Sequence, residues 1–205
     1  MTAVRRRLPV LLAWAVVAAL ALSARGPRDR TTWFLETVWV LVGLPLIVLT
    51  WRRFPLTDLV CCLLAVHALV LIVGGHYTYA QVPLGDWVRD TFGLDRNPYD
   101  RLGHLMQGFV PAVLVRELLS RTSPLRGSRW LAPLTVCACL ATQGDVWDTQ
   151  WDMFCALIGA TLSVLTLSRL HDRQLDGPRV TASYGGAGST GGGRTSTAGT
   201  RPLLP

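Results

Sequence analysis

Apolar residues in this chain come in long blocks, not at the spacing of an amphipathic helix or the alternation of a half-buried strand, and blocks of that length point to lipid as the solvent. The first block, Leu8–Ala24, follows Arg5–Arg7 and has the shape of a signal peptide, with Ala21-Leu22-Ser23 at the place of a cleavage site. It is long for a signal and further blocks follow, which favours an uncleaved first span. An Arg-bearing turn, Arg25–Arg30, leads to a second span, Trp33–Thr50, with Glu36 near its start and Pro45 inside, closed by Arg52 and Arg53. The third span is predicted from about Leu56 to Gly75, where His67 reads as a satisfied interhelix histidine. The fourth, Tyr99–Leu119, ends in RELLSRTSPLRGSR, which supplies Arg116, Arg121, Arg126 and Arg129 to one short connection. Trp130–Ala141 is anomalous: as a helix it measures about 18 Å against a hydrocarbon core of about 30 Å. It spans only with help from its flanks or a thinned bilayer, or else it is re-entrant. The last span begins near Asp145 or Trp151 and runs to Leu167, followed by Arg169, His171 and Arg173.

The longest internal connection, His76–Pro98, alternates aromatics with acids, and Val82–Phe92 is predicted as a short helix lying along the interface. From Asp176 the chain is rich in Gly, Ser and Thr and is expected to be disordered. The expected architecture is all-α: a polytopic transmembrane bundle of about six segments with a short fifth, over residues 1–175, and a tail over residues 176–205. No internal repeat supports a duplicated transporter fold. With the N-terminus inside, inner connections carry eleven Arg against six outside, which favours both termini in the cytoplasm.

Composition sharpens this picture. Half of the 205 residues are hydrophobic, only 16% are charged and the mean hydropathy is +0.35, whereas soluble domains carry roughly a quarter charged residues. The net charge of +7 would suggest nucleic acid on a soluble domain. Here every basic residue is Arg and most flank apolar blocks, so topology explains the charge and no nucleic-acid partner is expected. Cys61, Cys62, Cys137, Cys139 and Cys155 lie in apolar segments without zinc spacing and read as small buried residues.

The polar chemistry gathers in NPYDRLGHLMQG, Asn97–Gly108. In a helix Asp100, His104, Gln107 and Pro111 share one narrow arc, and a polar stripe on an apolar helix faces other helices or a water-filled pocket. Alternating direction brings it to the leaflet that also holds His76 and the run QGDVWDTQWD. There Asp145, Asp148 and Asp152 fall on one face, with Gly159 two turns below and Trp147 and Trp151 turned away. Several carboxylates with one or two imidazoles suit a divalent cation of the Mn or Zn kind, or acid–base chemistry on a headgroup or a translocated proton. A plainer reading competes: Asp100, Asp145 and Asp148 at helix starts cap free N–H groups and His104 merely sits in an interface. Asp152 and His104 fit that reading poorly because each lies deeper in its span.

From Gly74 to Leu119, and again in TQGDVWDTQWDMFCALIGA, the chain closely resembles the YjdF-like family of uncharacterised bacterial inner-membrane proteins, a resemblance that extends over most of residues 1–175. It implies a helical bundle in the bacterial cytoplasmic membrane. Asp100-x-x-x-His104 and the Asp152…Gly159 helix are also similar to the paired helix motifs of VanZ-like membrane proteins, which are associated with glycopeptide resistance and envelope roles. The family implies, after the segment matching Leu131–Leu140, an acidic aromatic helix end and a Gly-rich connection. This chain instead runs from Leu140-Ala141 straight into Thr142-Gln143-Gly144.

The expectation is therefore a membrane protein with an outer-leaflet site that binds or acts on a lipid or envelope component. Asp100, His104, Asp148 and Asp152 are its acid–base or ligand candidates, His76, Gln107 and Asp145 support them, and His104, Asp100 and Asp152 are the metal candidates. The alternatives are a small proton-coupled transporter and a non-catalytic scaffold or resistance modulator.

Overall fold

A computed structural model describes residues 3–141 and 150–176. They form seven α-helices and no strand: α1 (Ala3–Ser23), α2 (Arg30–Thr50), α3 (Asp58–Tyr77), α4 (Pro83–Phe92), α5 (Tyr99–Thr122), α6 (Leu131–Ala141) and α7 (Gln150–Leu175), with one 3-10 turn at Tyr79–Gln81. By length and composition α2, α3 and α7 are able to cross a membrane, and Arg7–Ser23 of α1 is a shorter apolar helix. Trp14, Trp39 and Leu49 point outward, which is the arrangement expected where the surrounding solvent is lipid. The predicted interfacial helix is α4; its Leu84, Trp87 and Phe92 are exposed while Arg89 pairs with Asp86 and Asp90.

Local chemistry sets the helix starts. The Asp29 side chain accepts a hydrogen bond from Thr32 N at the head of α2, and the Thr57 hydroxyl accepts one from Val60 N at the head of α3. α3 sits centrally, against α1, α2 and α5, and α6 packs on α5 and α7. The most extensive contact is between α5 and α7, which run in the same direction: His104 meets Asp152, Gly108 meets Ala156 and Glu117 meets His171. Glycines permit it. A Cβ added at Gly108 would overlap the Ala156 carbonyl, and one added at Gly159 would overlap the Leu105 carbonyl. The two backbones therefore touch, as small residues allow where no hydrophobic effect drives helices together. The next level is filled by Ala112, Cys139 and Ala160, all without exposure.

Several expectations change. α5 continues to Thr122 and α7 to Leu175, so Arg116, Arg121, Arg169, His171 and Arg173 belong to helices rather than connections. The reason is burial: Glu117 and His171 have no exposure, and Arg116 and Arg121 are nearly as buried. His67 is not satisfied, for its buried Nε2 has no hydrogen-bond partner among the described residues. Among the cysteines only Cys139 is buried, while Cys137 is exposed and Cys61, Cys62 and Cys155 are intermediate. The predicted tail beyond Asp176, and Asp145, Trp147 and Asp148, lie outside the described residues.

Candidate functional site

At the head of α5, Asn97 organises the chain. Its carbonyl oxygen accepts from Tyr99 N at 3.0 Å, while its amide donates to the Val82 carbonyl at 3.0 Å and to Asp86 at 3.1 Å. These bonds tie the end of the α4 connection to the first turn of α5. No side chain at the Pro98 N-cap accepts a capping bond, so Asp100 is not the cap. It lies one turn from His104 along the same face.

There α7 meets it. His104 Nε2 lies 3.7 Å from Asp100 Oδ1 and 3.7 Å from Asp152 Oδ1. The Asp100 side chain is 52% exposed, whereas those of His104 and Asp152 are each 17% exposed. One ligand atom from each of the three lies within 4.8 Å of the others, so this trio is the group that could hold a metal ion among the described residues. Gln107 is half-buried on the next turn of α5, and Gly159 faces that helix. Trp151 is largely exposed, consistent with an indole at the headgroup level.

Two further residues join this end of the seam, and neither was picked out as a site residue by sequence reasoning. Tyr79 Oη donates to Glu36 Oε2 on α2 at 2.9 Å, and Glu36 is close enough to interact electrostatically with Asp100 and His104. The Tyr79 ring fills a slot between α3 and α5: an added Cβ would come within 2.6 Å of it from Gly74 and 2.7 Å from Gly103. Its ring also packs at 5.8 Å from that of Tyr99, whose hydroxyl donates to the Val70 carbonyl. The residue before it, Thr78, has φ 63°, an uncommon conformation for a β-branched residue, with a cost of about 1–3 kcal/mol. That bend turns the chain inward off the end of α3. Burial, and then the neighbouring Glu36 carboxylate, raise the Tyr79 phenol above its ordinary value, so it remains a donor. The sequence signal was slender: Glu36 is a lone acid near a span start, and Tyr79 is one aromatic among four in its connection.

His76 takes another direction. Its Nδ1 lies 2.8 Å from the Ser23 carbonyl and its ring meets Tyr77 edge-on, so its contacts join α1 to α3 rather than to the trio.

The opposite end of the α5–α7 seam holds a second ionisable cluster. Glu117 accepts from Thr57 N at 3.1 Å, Thr57 Oγ1 at 2.8 Å, Arg121 at 2.9 Å and His171 Nε2 at 3.1 Å. Arg121 also donates to the Pro55 carbonyl and lies 3.6 Å over the Phe54 ring. Arg116 grips both oxygens of Asp172, and Gln174 accepts from Leu59 N. This knot joins α3, α5 and α7. The i,i+4 pair Glu117 and Arg121 was the available sequence signal, read as part of a connection because it lies among four Arg.

The family described as "Predicted membrane protein (DUF2238)" matches residues 8–142 and 138–173. Its two parts overlap at residues 138–142. The chain is 45% identical over 173 residues to the "Inner membrane protein YjdF" of Escherichia coli (strain K12), covering 72% of this chain and 83% of that protein. No solved structure matches. The VanZ-like similarity rests on the Asp100…His104 and Asp152…Gly159 pattern alone.

Proposed function

This chain belongs to the DUF2238 family of predicted membrane proteins, and from that premise we propose that it works through the Asp100–His104–Asp152 end of the α5–α7 seam, binding or acting on a lipid or cell-envelope component at the outer leaflet of a bacterial inner membrane. One observation carries the reading: ionisable side chains of α5 and α7 converge, with His104 Nε2 3.7 Å from Asp100 and from Asp152 and both His104 and Asp152 mostly buried. Ionisable groups inside a membrane bundle are costly and mark function by default. His104 and Asp152 are the acid–base or ligand pair, Asp100 is the more accessible partner, and Glu36, oriented by Tyr79, adds a further carboxylate. The Arg bias of the connections supports placing this end outside. Asp148 and Asp145 remain candidates on their spacing, with Gln107 supporting.

The test is mass spectrometry of lipids and envelope components that stay with the full-length protein in nanodiscs. We expect a stoichiometric component in the wild type, retained at least about tenfold less, or about 1.4 kcal/mol, by His104→Ala and Asp152→Asn. Both variants should still insert and unfold as the wild type does. Identical retention in all three proteins would overturn the reading.

A second reading draws on Glu117 and His171, a buried carboxylate–imidazole pair at the other end of the same seam. It makes the protein a small proton-coupled carrier, whose substrate-dependent proton uptake in liposomes would disappear in Asp152→Asn.

A further inference from the structure

We propose that Asp100, His104 and Asp152 form a divalent-cation site that takes a first-row ion such as Mn2+ or Zn2+ through one imidazole nitrogen and one oxygen from each aspartate. This rests on the reading that the same trio is the working site, and names what the site holds.

The distances favour a shared centre over direct pairing. His104 Nε2 is 3.7 Å from each aspartate oxygen, beyond the length of a charge-assisted hydrogen bond. A triangle with two such sides and a third no longer than 4.8 Å contains a point about 2.0–2.4 Å from all three corners, which spans the Zn–N and Zn–O lengths and the short end of Ca–O. The Nδ1 of His104, like that of His171, is buried without a hydrogen-bond partner among the described residues, and Nε2 is the nitrogen that faces the aspartates. A mostly buried ring whose Nε2 stands 3.7 Å from an oxygen of each aspartate leaves room among the three for an ion or a water.

Charge points the same way. Asp100 and Asp152 flank one imidazole. Assembling like charges at reduced dielectric is unfavourable, and a divalent cation at the centre offsets it. One nitrogen and two carboxylate oxygens suit Mn2+ or Zn2+ better than Ca2+, which prefers six to eight oxygens, or Mg2+, which keeps its waters. The contact of α5 with α7 at Gly108 and Gly159 lies immediately below and fixes the spacing of the ligand-bearing turns. Three protein ligands leave coordination positions open for an anionic oxygen of the bound component.

The experiment uses full-length protein in detergent, stripped with chelator and titrated with Mn2+ followed by electron paramagnetic resonance, and with Co2+ followed by visible absorption. We expect one tightly held ion per chain. Affinity should fall about 10–100-fold or more in His104→Ala and Asp152→Asn, on the scale of lost metal-site interactions. Asp100→Asn, at the half-exposed position, should also weaken binding and is the deciding variant should the other two fail to fold. The Co2+ spectrum of His104→Ala should lose the contribution of the nitrogen ligand. Binding that is equal in the wild type and Asp100→Asn, or a Co2+ spectrum indifferent to His104, would mean an adventitious ion only and overturn the proposal. Retention of a His104-dependent envelope component by a chain that binds no cation would sink the cation site and leave the preceding reading standing. A trio-dependent cation with no envelope component retained would do the reverse.

Discussion

Glu117 has no solvent exposure and receives four hydrogen-bonding groups, one of them a guanidinium that lies against Phe54. Removing one partner of a buried ion pair strands the other, at a cost of about 3–5 kcal/mol. Glu117→Ala should therefore lower unfolding stability in detergent by about that amount, because Arg121 and His171 lose their shared carboxylate. Tyr79→Phe should cost only about 1 kcal/mol, because it keeps the packed ring and loses one hydrogen bond. Gly103→Ala should cost more than Tyr79→Phe, since its Cβ would press on the ring. At this scale the sequence was partly legible. Asp100, His104 and Asp152 announce themselves through helical spacing within apolar blocks. Glu36, Tyr79 and Glu117 do not, because their partners lie on other helices 43 and 54 positions away and no period in the chain encodes that.

Between elements, the α5–α7 contact decides the rest. Gly108→Leu or Gly159→Leu should push the two backbones apart, reduce the folded yield and weaken ligand retention at the trio as strongly as His104→Ala does. Gly43→Ala, where nothing lies within 4 Å of the added atom, should change neither; size-exclusion profiles and thermal unfolding in detergent report both outcomes. The order of the apolar helices was readable from apolar block length, and α4 from the alternation of aromatics with acids in its connection. The true ends of α5 and α7 were not, since an Arg or His looks like a flanking charge until its carboxylate partner is found on a neighbouring helix. The break in the family match, at residues 138–142, coincides with the place where the acidic aromatic helix end expected from the resemblance is missing. The described part of α6, Leu131–Ala141, reaches the same place.

At the scale of the whole molecule, the helices form one packed series in which α3 links the α1–α2 side to α5, α6 and α7. Two ionisable clusters lie at the ends of the α5–α7 seam, one joined by hydrogen bonds around Glu117 and the other with His104 Nε2 3.7 Å from each of two aspartates. The Arg asymmetry predicts opposite sides for these ends. A cysteine placed at Arg126 in a Cys-free background should be labelled only from the cytoplasm, and one at Asp95 only from outside; labelling of both from the same side would invert the scheme.

The touching backbones at Gly108 and Gly159, with the buried Ala112, Cys139 and Ala160 at the level beyond, leave no gap along the α5–α7 seam between those ends. The trio at His104 and the Glu117 cluster are thus held apart by a direct backbone contact. A through-route for a solute would require prying two helices apart at their tightest point.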